Sequence, residues 1–312
     1  MKLWARARGP RAVQLALLVV AVVVVGVAAW GGFDTPGKPV LAAAQTTAPP
    51  SGGVEHSMVV AGLTRTFRTF APANGHDLPL LVVLHGRGQS SRTAITQTGF
   101  LGLVQQGHAA LVFPDGIGRS WNAEGGCCGI AGARRTPDLQ FVTAVVAASV
   151  HDLPVDPSRI YLVGYSNGGK LAYGEACAYP GLFAGVATYG SVPLTPCVHG
   201  TAMPFLLGAG ALDPILPYRG ATRAHPPLPP VPTAVGWLRT QDGCSGTPKS
   251  VTVGPAVVEH WTRCRPGSEV TFVLYRHDGH TWPGTGVVGT PAAAATLMWS
   301  FLDGHRLAGP LA

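Results

Sequence analysis

Charge is scarce in this sequence and nowhere concentrated. Asp, Glu, Lys and Arg make up 12% of its 312 residues, and no basic run exceeds the pair Arg134-Arg135. A nucleic-acid surface needs Lys and Arg clustered along one face, so that class of partner is not expected. The net charge of +7 does not restore it. Lys2, Arg6, Arg8, Arg11 and Lys38 against Asp34 place four of those charges in residues 1–50. Lysine is rarest, 4 residues against 18 arginines, a compositional bias that accompanies abundant Ala, Gly and Pro. No internal repeat is visible. No paired Cys-x-x-Cys occurs, which removes the usual zinc frames. What is abundant is apolar: 46% of residues are hydrophobic. A core of good size follows, and the roughly 260 residues beyond the N-terminal region suit one α/β domain.

Four basic residues precede an uncharged run from Ala12 to Phe33 dense in Leu, Val and Ala. At 22 residues that run exceeds the ~7–15 apolar residues usual for a cleaved signal and reaches the ~20 of a membrane span. Residues 1–44 are therefore expected to be a signal peptide, with Ala42-Ala43-Ala44 offering small residues for cleavage, or a retained N-terminal anchor. Either way the domain faces outward, secreted or held at the outer face of the plasma membrane, and this segment is the one expected membrane contact. No cysteine lies nearby, which argues against a lipoprotein. Residues 45–56 read as a flexible linker and residues 57–312 as the catalytic domain. Six cysteines in an exported chain point to disulfides rather than metal. Cys177 with Cys197 and Cys244 with Cys264 form two plausible local loops. Cys127 and Cys128 are left to form a vicinal bridge or to stay reduced.

Hydrophobic patterning predicts short strands at Ser57–Val60 and Thr64–Phe70, then a central strand at Leu78–Leu84 and another at Ala109–Phe113. A helix is predicted over Asp138–Val150, a buried strand over Arg159–Val163, and a helix over Gly169–Tyr179. Strands at Gly185–Tyr189, Pro204–Leu207 and Val270–Tyr275 follow, with helices between them and a last helix at Pro291–Leu302. Alternating strands and helices imply a mostly parallel sheet covered on both faces. Residues 224–232 are proline-rich and read as a solvent loop, or else as a stiff wall over a site.

The chemistry centres on Gly164-Tyr165-Ser166-Asn167-Gly168, placed between a strand and a helix. Gly-x-Ser-x-Gly in that context is a nucleophile elbow, a tight turn that lifts the serine hydroxyl above the sheet edge. A serine needs a base and the base needs a carboxylate. Asp213 leaves the end of the strand at Pro204–Leu207 and is the expected acid; Asp242 reads as a helix-end turn residue and Asp278 as a loop carboxylate. His280 leaves the end of Val270–Tyr275 and is the expected base, with His277 the alternative. The oxyanion donors expected are the backbone N–H of Asn167, after the nucleophile, and that of Arg87 in His85-Gly86-Arg87-Gly88, with Gly86 or Gly88 as alternatives. Trp121, Trp282 and Tyr165 are expected to border the substrate pocket.

These segments, together with Ser120-Trp121-Asn122, Cys127-Cys128-Gly129, Asp213-Pro214, Pro217-Tyr218 and Gly279-His280-Thr281-Trp282-Pro283-Gly284, resemble the secreted polyhydroxybutyrate depolymerases and the feruloyl and acetylxylan esterases. The likeness spans about residues 57–303, with the segments in the family's order. It implies an α/β-hydrolase fold and a serine esterase in which Ser166, Asp213 and His280 are nucleophile, acid and base. Some depolymerases of this type carry cysteine at the position of Arg87. No Thr-rich linker or polymer-binding domain follows, which moves the expected substrate toward soluble esters or oligomers. The expected partner is thus a small or oligomeric ester, without cofactor or metal. An extracellular acyltransferase of the same architecture and a non-catalytic polymer-binding protein are the competing readings.

Overall fold

A computed structural model describes residues 53–307 and 309, apart from 199, 225 and 285–288. The expected leader, and the linker up to residue 52, lie outside the described residues. Among those described, no helix is long and apolar enough to cross a membrane.

The chain begins with a hairpin, β1 (Val54–Val60) and β2 (Leu63–Phe70), closed by Ala61-Gly62 with both φ values positive, at 48° and 77°. Such a two-residue turn matches strand twist, so pairing runs without a slip from Val60↔Leu63 to Val54↔Thr69. Residues 54–56 are therefore strand, not the end of a linker. Next come β3 (Leu78–Leu84), α1 (Ser91–Thr98), α2 (Leu101–Gln105) and β4 (Ala110–Pro114). They are followed by α3 (Gly129–Arg134), α4 (Asp138–Asp152), β5 (Val155–Tyr165) and α5 (Asn167–Ala178). The remaining elements are β6 (Gly185–Tyr189), β7 (Phe205–Gly210), α6 (Val231–Gln241), β8 (Lys249–Val253), β9 (Ala256–Trp261), β10 (Val270–Tyr275) and α7 (Ala294–Leu302).

Ten strands form one sheet in the order β1-β2-β4-β3-β5-β6-β7-β10-β9-β8. The six from β4 to β10 are parallel, and antiparallel pairs close both edges. Strand β3 is buried along its whole length because both sheet faces are covered. Leu80, Val82, Leu84 and Leu162 pack on the face of α4, α5 and α6. Leu81, Val83, Tyr161 and Val163 pack on the face of α1, α2 and α7. The β8–β9 hairpin was not expected from the sequence. Its outer strand exposes Lys249, Ser250, Val251 and Thr252 alike, so no apolar alternation marks it.

Disulfides join Cys177 to Cys197, Cys244 to Cys264, and the adjacent Cys127 to Cys128. The first ties the end of α5 to the loop after β6, and the second ties the end of α6 to the strand β9 region. Beneath the sheet edge, Arg65 of β2 is buried and ion-paired with Asp138 at the start of α4, at 2.7 Å. Asp138 also accepts from the Asn122 N–H and the Thr136 hydroxyl, which anchors the loop leading to the site.

Glu175 of α5 is fully buried, and neither carboxyl oxygen has a hydrogen-bond partner among the described residues. Burial, reinforced by the charge of Asp138, pushes its pKa up to about 9. The folded chain thus keeps a proton that the unfolded chain releases near the ordinary glutamate value. The stability this proton confers is full below pH ~4.5 and is lost as pH rises toward 9. Glu175→Gln should abolish a loss on the order of 2–4 kcal/mol between pH 5 and pH 8, measured by urea unfolding. Parallel stability profiles for the two proteins would contradict this.

Candidate active site

The turn from β5 into α5 holds Ser166 at φ 53° and ψ −117°. A non-glycine residue in that region costs about 1–3 kcal/mol, so its neighbours must impose it. A Cβ on Gly164 would overlap the Gly168 carbonyl, and one on Gly168 would overlap the Leu84 and His85 carbonyls. The two glycines let strand, turn and helix approach closely, and the Ser166 N–H is fixed on Tyr189 O at 2.9 Å.

Asp213 and His280 arrive on the loops after β7 and β10, neighbouring parallel strands. These loops are joined by backbone bonds from Leu212 N to Asp278 O and from Ala211 N to Tyr275 O. His280 Nδ1 lies 2.6 Å from Asp213 Oδ2, and His280 Nε2 lies 2.8 Å from Ser166 Oγ. A carboxylate on Nδ1 fixes the proton there, leaving Nε2 to accept from the serine. Asp213 Oδ1 accepts from the Ile215 and Leu216 N–H groups, both at 2.8 Å. Burial works to raise the Asp213 pKa. The bond from His280, the two backbone donors and the His280 charge outweigh it and hold the carboxyl below its ordinary value.

Two tyrosine hydroxyls steady the histidine loop: Tyr165 donates to His280 O, and Tyr189 donates to Gly279 O at 2.8 Å. Burial, with Asp213 nearby, pushes the Tyr165 pKa up to about 12, so this donor keeps its proton. The alternatives fall elsewhere. Asp242 caps the end of α6 and accepts from Met203 N, His277 is exposed, and Asp278 serves the loop through its carbonyl.

The loop after β3 is set by His85. Its Nδ1 donates to Gly86 O at 2.8 Å, and its Nε2 accepts from Gly116 N at 3.0 Å. Burial lowers the His85 pKa, which keeps Nε2 an acceptor. Of the three candidate donors here, Gly86 N–H is taken by Gln89 Oε1 and Gly88 N–H by Arg119 O. Arg87 N–H has no partner among the described residues. Asn167 opens α5, so its N–H has no intrahelical acceptor. The Asn167 side chain is buried and grips Trp121, accepting from its N–H at 2.7 Å and donating to its carbonyl at 3.1 Å.

Ser166 and His280 open on a cleft of about 410 Å³ lined also by Arg87, Cys128, Lys170, Ile215, Leu216 and Leu228. Trp121, Trp282 and Tyr165 are not on its wall, contrary to expectation. Trp121 is fully buried, with its indole N–H on His85 O. Trp282 is buried edge-on against Tyr165 and Tyr189. They form the packed support behind the triad, where aromatic bulk is better used than at a wet mouth. Leu228 brings the proline-rich segment to the cleft, so this stretch is a wall rather than a solvent loop. Lys170 and Ile215 escaped sequence reasoning too, though both sit within four residues of Ser166 or Asp213.

A family model described as Esterase PHB depolymerase matches residues 68–229. The chain belongs to this esterase family. It is 31% identical over 255 residues to NocK of Nocardia uniformis, named as a candidate esterase, covering 73% of each chain. Feruloyl esterase C of Emericella nidulans is 26% identical over 242 residues, covering 74% of this chain and 79% of its own. Among solved structures, an acetyl xylan esterase from Aspergillus awamori superposes with a TM-score of 0.59 at 13% identity, covering 80% of this chain and 99% of that one. The fold is that of the α/β-hydrolase esterases, and the protein is a carboxylic ester hydrolase.

Asn167→Ala keeps the backbone N–H but leaves the buried Trp121 N–H without its acceptor. We expect a loss of about 2 kcal/mol in urea unfolding together with a lower kcat. Unchanged stability would show that the Asn167 side chain does not hold this loop.

Proposed function

We propose that the esterase works through an acyl-enzyme on Ser166. The Ser166–His280–Asp213 hydrogen-bond chain carries this reading. Ser166 Oγ bonds to the ester carbonyl carbon while its proton passes to His280 Nε2. Asp213 holds the imidazole and offsets the charge it gains. The N–H groups of Asn167 and Arg87 stabilise the oxyanion. The C–O bond to the alcohol then breaks, with the proton delivered from His280 to the leaving oxygen. Water, deprotonated by His280, releases the acid and restores Ser166.

The compartment proposed is extracellular, or the outer face of the plasma membrane, and the three disulfides support it. The substrates proposed are hydroxybutyrate oligomers or the feruloyl and acetyl esters of plant polysaccharide. The family match and the relatives named feruloyl esterase support these classes. Turnover of hydroxybutyrate oligomers, methyl ferulate and acetylated xylan on one preparation would choose among them.

Ser166→Ala should lower kcat on short p-nitrophenyl esters by about 10⁶-fold, and Asp213→Asn by about 10⁴-fold, without change in fold by circular dichroism. Full activity in Ser166→Ala would end this mechanism.

A further inference from the structure

The mechanism leaves the charge of the cleft unused. Its lining holds two cations, Arg87 and Lys170, and no Asp or Glu. Lys170 follows Ser166 by four residues, in the first turn of α5 and on the same helix face. An ammonium is disfavoured at this end of a helix. It is also half-buried, and burial holds its pKa below the ordinary lysine value, an effect Glu124 only partly offsets. Yet no carboxylate among the described residues pairs with it, and its one polar contact is Cys127 Sγ at 3.7 Å. Glu124 is committed elsewhere, accepting from the N–H groups of Leu194 and Thr195 and from the Thr195 hydroxyl at 2.6–2.7 Å. Arg87 is exposed at the same cleft and likewise has no carboxylate partner among the described residues. Ile215, Leu216 and Leu228 add apolar surface to the same cleft. Cations without a carboxylate partner beside apolar side chains, lining one site, match a ligand with a hydrocarbon part and a negative charge.

We infer that the cleft selects esters bearing a free carboxylate, which Lys170 binds with the Arg87 guanidinium adding to the field. The hydrocarbon part lies against Ile215, Leu216 and Leu228. This deepens the esterase reading and rests on it.

The test compares kcat/KM within matched pairs on the full chain. Monomethyl adipate against methyl hexanoate places the carboxylate on the acyl side. Acetylated hydroxypropanoate against propyl acetate places it on the alcohol side. The expected result is a preference of ~tenfold or more for the anionic ester in at least one pair, weakened by added salt. That preference should collapse in Lys170→Met and persist in Lys170→Arg. Turnover of neutral esters with no anionic preference in either pair would overturn the inference and leave the serine mechanism standing. A preference undiminished in folded Lys170→Met would overturn it as well. Failure to hydrolyse all four esters in protein that still turns over short p-nitrophenyl esters would overturn the inference alone, and failure on the p-nitrophenyl esters too would remove the serine mechanism with it. Should Lys170→Met fail to fold, the wild-type ratios and their salt dependence decide the matter.

Discussion

Everything at this site depends on one close approach, the crossing of α5 over the ends of β3 and β5. A Cβ on Gly168 would strike the Leu84 and His85 carbonyls, and one on Gly164 the Gly168 carbonyl, so the turn between them has little room to relax. Ser166 is forced to positive φ and its hydroxyl is raised toward His280. The same approach brings the first N–H of α5 beside the loop that carries Arg87. One steric constraint therefore sets both the position of Ser166 and that of the two N–H groups proposed as oxyanion donors. The conformational strain at a single residue is small against the burial of β3 and β5, which hold the crossing in place.

A second layer of the design is aromatic. Tyr165, Tyr189 and Trp282 pack edge-on and stacked behind the histidine loop, and the two tyrosine hydroxyls bond its carbonyls. Strand β5 thus ends in two neighbouring residues with separate tasks. Ser166 faces the cleft, while Tyr165 fixes the partner that Ser166 needs. On the other side, Trp121 links His85 to Asn167 and so couples the loop after β3 to the start of α5. Rigid packing of this kind holds reacting groups in place without a ligand to organise them.

The convergence of Ser166, Asp213 and His280 was legible in the sequence because each is tied to a strand end, and buried strands announce themselves by continuous apolar runs. Ser166, Asp213 and His280 all follow such runs. The wall of the cleft was not legible, because it is assembled from loops with no periodicity: Leu228 from a proline-rich stretch, Ile215 from the turn after Asp213. Aromatic character misled in the same place. Trp121 and Trp282 border the catalytic segments in sequence, but their side chains turn inward to polar and aromatic partners that only the tertiary fold supplies. Hairpin β8–β9 was hidden for a different reason, since an edge strand exposed on both faces leaves no hydrophobic signal.

Activation by His280 should set strained Ser166 apart from every other serine in the protein. Labelling the protein with a fluorophosphonate, followed by peptide mass spectrometry, tests it most directly. Stoichiometric modification confined to the peptide containing Ser166 is expected, slowed when Asp213 is replaced by Asn. Modification at another residue, or none in folded and ester-hydrolysing protein, would contradict it.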